Sequence, residues 1–311
     1  MTNKKNKLKV LLVVIILLIS TGCTKVLTDK DEKAVTNPET GQNLTANILC
    51  RPEDEATITI YQENGVDLKS LPSCDDFKIT SGKYEGLWTN VFVKPLAFVI
   101  LWLGKYVSSY GLSLMIVSLA IRLIAYPVTR KTAIQSELIK KAQPEISRIE
   151  SKYANKTDQE SMMKKSTEMT LVYKKYNINP LAGCLYSFLQ LPLFIAFLEA
   201  INRVPAIFEE DFLLLQLGTT PMVGFSKANF YMYIVLMSAI ALTTLFSFKL
   251  NTTSVNQDPS MKHMPLIMCG MIVVMALFMP AALGLYWITT NLFTVIQNLL
   301  VKRSKISHEK A

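Results

Sequence analysis

A chain of 311 residues with a hydrophobic fraction of 50% and a mean hydropathy of +0.28 is more apolar than a soluble domain requires. Its net charge of +9 sits mostly in short segments beside apolar runs, where Lys and Arg report topology, so no specific nucleic-acid partner is expected. His263 and His308 have no neighbouring ligand set, and no zinc-protease, serine-hydrolase or phosphate-loop motif occurs, which argues against a metalloprotease, a serine hydrolase of the familiar kind or an ATP-driven pump; no metal or cofactor is expected.

Residues 1–22 read as a targeting segment: Lys4, Lys5, Lys7 and Lys9, an apolar run over 10–19, then Ser-Thr-Gly-Cys. The small residue before Cys23 resembles the lipobox of bacterial lipoproteins, where the cysteine is lipidated and becomes the mature N-terminus. Ser20 departs from the aliphatic residue preferred there, and an uncleaved anchor helix is the alternative. Residues 23–86 are polar, with acidic clusters at 29–32 and 53–55, and predict an extracytoplasmic tether, flexible in its first part, with little core. Thr57 to Tyr61 alternates as a short strand would. Cys50 and Cys74 fall in this exported part, where disulfides persist. A bond between them and two unpaired thiols are both open. Cys184 and Cys269 lie in apolar runs and read as small buried residues.

A membrane core follows over residues 87–301. Residues 88–107 are apolar but interrupted by Asn90, Lys94 and Pro95, which fits a helix lying in the interface with Trp88, Trp102 and Tyr106 at headgroup level. Were that helix to span, the most basic loop would face outward. Residues 111–129 form an apolar run long enough to cross a bilayer, with one charge, Arg122, inside it. At ~1.5 Å per residue Arg122 lies about 10 Å below the nearer end. Burying arginine there costs about 2.5–3.5 kcal/mol on insertion scales, and such residues usually face a bundle interior or a watery cavity. A snorkelling arginine is the plainer alternative.

Residues 130–176 carry eleven bases and six acids, which makes this segment cytoplasmic. Thr157, as N-cap with Glu160 three later, predicts an antiparallel hairpin of helices over 131–153 and 158–176, with Pro144 bending or restarting the first. Met162, Met163 and Met169 fit either an adaptable peptide-binding face or plain hairpin packing. Spans follow at 181–201, broken by Pro192, and at 229–248, separated by an outer loop carrying Glu209, Glu210 and Asp211. Residues 264–301 are apolar apart from scattered amides and hydroxyls. One helix of that length would reach about 57 Å, nearly twice the ~30 Å hydrocarbon thickness. With basic residues at both ends, two spans, 264–279 and 281–301, are expected before a basic cytoplasmic tail over 302–311. The expected fold is an all-α polytopic membrane protein with five transmembrane helices.

The residues in this order resemble the YidC-type membrane protein insertases, in a form like that of Gram-positive members. The matching motifs are Ile121-Arg122-Leu123 followed by Pro127, Gln143-Pro144-Glu145, and Tyr173-Lys174-Lys175-Tyr176. Further on come Asn179-Pro180-Leu181-Ala182-Gly183-Cys184, Gln190-Leu191-Pro192 and Ala282-Leu283-Gly284-Leu285-Tyr286-Trp287. The resemblance implies a hydrophilic groove open to cytoplasm and lipid, lined by Arg122, Gln190, Ser247 and Trp287, that receives the polar tail of a nascent membrane protein. Ser247 stands where many relatives carry Gln. Arg122 then offers a substrate carboxylate ~4 kcal/mol at 4 Å and effective dielectric ~20, before desolvation is subtracted. The implied function is insertion and folding of integral membrane proteins, without a cofactor. Implied partners are nascent membrane proteins, ribosomes or targeting factors at the hairpin, the general secretion channel and the lipid bilayer. Two other functions are weighed: a small-solute channel using Arg122 as an anion site, for which no internal repeat is visible, and a scaffold lipoprotein.

Overall fold

The computed structural model describes residues 24–179, 181–251 and 264–309. The targeting segment, the lipidation candidate Cys23, most of the inner loop before Met264 and the last two residues lie outside the described residues, as does the side chain of Cys184. The chain is mainly helical: α1 Glu55–Glu63, α2 Lys94–Val107, α3 Tyr110–Tyr153, α4 Gln159–Lys175, α5 Leu181–Arg203, α6 Phe230–Asn251, α7 Met264–Ala276 and α8 Ala281–Glu309. Its only named strands among the described residues are β1 Asp211–Phe212 and β2 Leu215–Gln216, an antiparallel pair. Two compact units divide it. The first holds residues up to Val117, Gln190–Met237 and Ala276–Tyr286; the second holds Ser118–Leu189, Ser238–Met275 and Trp287 onward.

In the first unit, residues 24–86 are folded rather than a flexible tether. Isolated antiparallel bridges pair Val26 with Thr45, Thr28 with Ala34 and Thr36 with Asn43. Leu27, Leu44, Ile48, Tyr61 and Leu68 form a buried apolar cluster. The supposed strand at Thr57 is helix α1. Its N-cap, Asp54, accepts the Thr57 backbone N–H at 2.8 Å, and the four-residue spacing buries both Thr57 and Tyr61. Alternation of Thr and Ile fits either period over five residues; the cap decides it. The Cys50 and Cys74 sulfurs are bonded, with Cα atoms 4.8 Å apart.

Polar contacts fix this segment to the rest of its unit. The Arg203 guanidinium, with no exposed surface, donates from Nε to the Asn47 carbonyl at 2.7 Å and from Nη2 to Glu85 Oε2 at 2.5 Å. Glu199, one helical turn earlier on α5, lies 3.6 Å from Arg203 and accepts from Trp88 Nε1 at 2.8 Å. Gly41, at φ +70°, passes so close to the 220–223 turn that a Cβ there would meet Val223 Cγ2 at 2.5 Å, and the Thr220 N–H donates to the Thr40 carbonyl at 2.8 Å.

The long helices depart from their expected ends. Helix α3 is one uninterrupted helix of 44 residues, running from the Arg122 stretch straight into the hairpin with Pro127 and Pro144 inside it. Likewise α5 continues through Pro192. Proline can sit within an apolar helix where neighbouring helices and local adjustments satisfy the freed carbonyl. Helix α7 ends at Ala276, three residues earlier than expected, and α8 runs on past residue 301. The intervening break is held from outside: the N–H groups of Met222 and Ala281 pair with the carbonyls of Leu277 and Thr219, each at 3.0 Å. By length and composition, 89–107 (19 residues), α3 and α6 are long and apolar enough to cross a membrane, and α7 is a shorter apolar helix.

In the second unit, α4 starts one residue later than the capping motif suggested. Asp158, not Thr157, is the N-cap, accepting the Ser161 N–H at 2.8 Å. The hairpin core is Ala142, Ile146, Val172 and Ile178, with Met169 packed against it, whereas Met162 and Met163 are exposed. Hairpin packing therefore accounts for Met169 alone.

Candidate functional site

Within the second unit, α3 and α8 each bury a polar face and expose an apolar one. On α3, Ser118, Arg122 and Thr129 are buried; spacings of four and seven put them on one side of a 3.6-residue helix. Leu119, Leu123, Ile124 and Val128, on the other side, are exposed. Helix α8 repeats the arrangement with Thr290, Thr294, Gln297 and Asn298 buried, and Leu292, Ile296, Leu299 and Leu300 exposed. On α6, Thr244 is buried between the exposed Leu242 and Leu245. Hydrogen bonds join these faces: Thr129 Oγ1 donates to Gln297 Oε1 at 3.0 Å, and Asn291 Nδ2 to Thr244 Oγ1 at 2.9 Å.

Arg122 is 5% exposed in this unit. A polar interior under an apolar exterior inverts the usual arrangement of a soluble domain, and it is favourable when lipid is the surrounding solvent. A buried guanidinium needs polar neighbours or water, because an uncompensated charge in an apolar medium costs several kcal/mol, of order the insertion-scale values. Hydroxyl and amide side chains are what this unit supplies. Among the described residues, no group of three or more His, Cys, Asp or Glu is placed to hold a metal ion.

Arg122, Ser247 and Trp287 all lie in the second unit, Arg122 buried, Ser247 and Trp287 partly so. Gln190 belongs to the first unit, where its Nε2 donates to Tyr286 Oη at 3.3 Å. Tyr286 is fully buried, its ring centroid 4.5 Å from that of Phe197. Sequence reasoning missed the α8 stripe of Thr290, Thr294, Gln297 and Asn298. These were visible as scattered amides and hydroxyls; their spacing of four, three and one is the helical signal that would have collected them.

Helices long and apolar enough to cross a bilayer, with apolar side chains exposed along them, define a helical membrane protein. Comparison with known proteins narrows that class. The family described as 60Kd inner membrane protein matches residues 102–309. The membrane protein insertase YidC of Oceanobacillus iheyensis is 37% identical over 224 residues, covering 70% of this chain and 85% of that one. Membrane protein insertase MisCA of Bacillus subtilis is 36% identical, covering 69% and 79%. Membrane protein insertase YidC 2 of Bacillus anthracis is 35% identical, covering 74% and 86%. A crystal structure titled as an active YidC insertase with its first transmembrane domain resolved aligns at a TM-score of 0.45 and 20% identity, covering 78% of this chain and 50% of that one. This chain belongs to the 60Kd inner membrane protein family, which the YidC-type insertase motifs implied.

Proposed function

We infer that the protein is a bacterial membrane protein insertase and folding chaperone. The observation that carries this reading is the buried Arg122 within a polar, hydrogen-bonded interior whose outer surface is apolar, in a chain whose relatives are named insertases. A polar tail crossing a bilayer meets its barrier in the hydrocarbon. A compartment of hydroxyls and amides around a fixed positive charge shortens that hydrocarbon path and attracts acidic tails. Ser247 and Trp287 are assigned to the compartment's wall. Gln190 lies in the first unit, bonded to Tyr286. The substrate's apolar segment then partitions into lipid under its own hydrophobic drive. No covalent step is required, so the activity is not assigned as enzymatic.

The finer assignments follow from charge and chain order. Five spans are assigned, at α3, α5, α6, α7 and α8, with 88–107 shallow on the outer side. Lys94, buried on that helix, donates to the carbonyls of Ser81 and Lys83, at 2.8 and 3.0 Å, which ties the helix to the polar outer segment. The hairpin of α3 and α4 is cytoplasmic and meets ribosomes or targeting factors, and the general secretion channel is a further partner. Cys23 is assigned as the lipid anchor; mass spectrometry of the mature N-terminus should show a diacylglyceryl cysteine, and an intact Met1 would refute it. The deciding experiment for function is reconstitution. Purified protein in liposomes should raise the insertion of a single-span substrate well above that of empty vesicles. Equal insertion with and without it, or uptake of small solutes in its place, would reject the reading.

A further inference from the structure

The β1–β2 hairpin turns on two residues, Leu213 and Leu214, with φ of +51° and +65°. Two consecutive left-handed residues make the tight turn that suits a two-residue hairpin, and Asn-Gly or Gly-Gly is the sequence that adopts it freely. Leucine is a poor choice on backbone grounds, because its Cβ crowds the following carbonyl in that conformation. It is also a poor choice for water, since the two side chains are 66% and 62% exposed. Both penalties fall on the same two residues.

The surroundings of this turn show what covers it. The backbone N–H of Gly111, in the first turn of α3, donates to Glu210 Oε2 at 2.8 Å. The Phe212 ring packs on Gly111 so closely that a Cβ there would sit 2.7 Å from Phe212 Cγ. On the other flank, Asn229 Nδ2, one residue before α6, donates to the Leu214 carbonyl. The tip is thus fastened at the starting ends of two helices apolar and long enough to cross a bilayer. The first turns of those helices present Leu112, Phe230 and Tyr231 as exposed side chains, so the tip and both helix starts expose apolar groups. Asp211, beside the tip, is exposed.

We propose that Leu213 and Leu214 form a lipid-inserting wedge, seated at the headgroup–acyl boundary of the leaflet that holds the starting ends of α3 and α6. The inference rests on those helices being bilayer spans; it is independent of substrate insertion. Burial of the two side chains in that boundary compensates the unfavourable turn, and the hydrogen bonds from Gly111 and Asn229 set the depth of α3 and α6 relative to the bilayer surface.

Depth-dependent quenching tests it. The full chain, with Cys184 and Cys269 changed to Ser, Cys23 kept and Leu214→Cys added, is labelled with nitrobenzoxadiazole and placed in phosphatidylethanolamine–phosphatidylglycerol vesicles. Phospholipid with a doxyl group at acyl carbon 5 should quench the label several-fold more than aqueous iodide does. An Asp31→Cys label on the exposed outer segment should show the reverse order. Leu213→Cys provides a second position should the first fold poorly. Iodide quenching equal to that of the Asp31→Cys label would overturn the proposal. So would protection from both quenchers, which would put protein rather than lipid over the tip. An insertion assay on the same vesicles separates this result from the functional reading, since a shielded or wet tip in an active insertase would count against the wedge alone.

Discussion

Two arginines, Arg122 and Arg203, are both buried, yet they call for opposite expectations. Arg203 is neutralised inside its own unit by Glu85 and Glu199, and breaking a buried pair leaves the partner charges uncompensated. Arg203→Met should destabilise the protein by about 3–5 kcal/mol, read as a lowered unfolding midpoint in nanodiscs. Glu85→Gln should cost less, because an amide still accepts from the guanidinium. Arg122 is buried on the same side of α3 as Ser118 and Thr129, and its proposed role depends on charge more than on the guanidinium fork. Arg122→Lys should retain most insertion activity, whereas Arg122→Ala should fail chiefly on substrates whose translocated tails carry Asp or Glu. Insertion yield of matched acidic and neutral tails, at equal protein level, measures this; equal yields for wild type and Arg122→Ala on the acidic tail would remove Arg122 from the mechanism. The two residues differed in legibility for a physical reason. A lone charge deep in an apolar run stands out, but Arg203 ends its run and reads as a topology signal until Glu85 and Asn47, far away in sequence, are seen beside it.

At the scale of elements, the hairpin of α3 and α4 depends on both an apolar core and clasps between its helices. Lys175 and Tyr176 donate to Glu145 at 2.5 and 2.7 Å, and Lys152 and Tyr153 donate to Glu168 at 2.6 and 2.9 Å. The Lys175 hydrogen bond, then that of Tyr176, holds the Glu145 carboxyl below its usual range; Lys152, then Tyr153, does the same for Glu168. Because both carboxyls ionise more readily folded than unfolded, their contribution is fully present above the unfolded value of about pH 4.3 and is lost as pH falls through the folded values. Amide protection in α4, corrected for the intrinsic pH dependence of exchange, should therefore fall as pH drops below about 4.3, and a Glu145→Gln/Glu168→Gln variant should lose that dependence. The outer segment has a different fastening, a disulfide between residues 24 apart in sequence, for which loop-closure entropy gives about 3 kcal/mol. Cys50→Ser/Cys74→Ser should open residues 24–86 to limited proteolysis while leaving the second unit intact. The helical character of the membrane core was plain from its apolar runs. The outer segment was not, because its core is assembled from single apolar residues, Leu27, Leu44, Ile48, Tyr61 and Leu68, dispersed among polar ones. No short window shows such a core; it exists only after the chain has folded back on itself.

Across the whole molecule, charge fixes which way the chain faces. Residues 130–176 hold eleven bases and six acids, while residues 209–211 are three consecutive acids. Short basic segments beside spans are retained in the cytoplasm, and on that rule the proposed topology assigns the basic segment to the cytoplasm. That assignment agrees with the continuity of α3, which runs from Tyr110 through Arg122 into the hairpin without a break. At 1.5 Å per residue, its 44 residues extend about 66 Å, more than twice the ~30 Å hydrocarbon core, so one end must stand well clear of the membrane. That projecting end is the basic one. A cysteine at the exposed Asn155, in the turn between α3 and α4, should resist an impermeant maleimide in intact cells and react once the membrane is permeabilised. A cysteine at the exposed Asp31 should react in intact cells. Reversal of the two would invert the topology and turn the Arg122 compartment toward the wrong side for a substrate arriving from the ribosome. Labelling of both positions in intact cells would mean an even number of crossings between them, and 88–107 would then have to span.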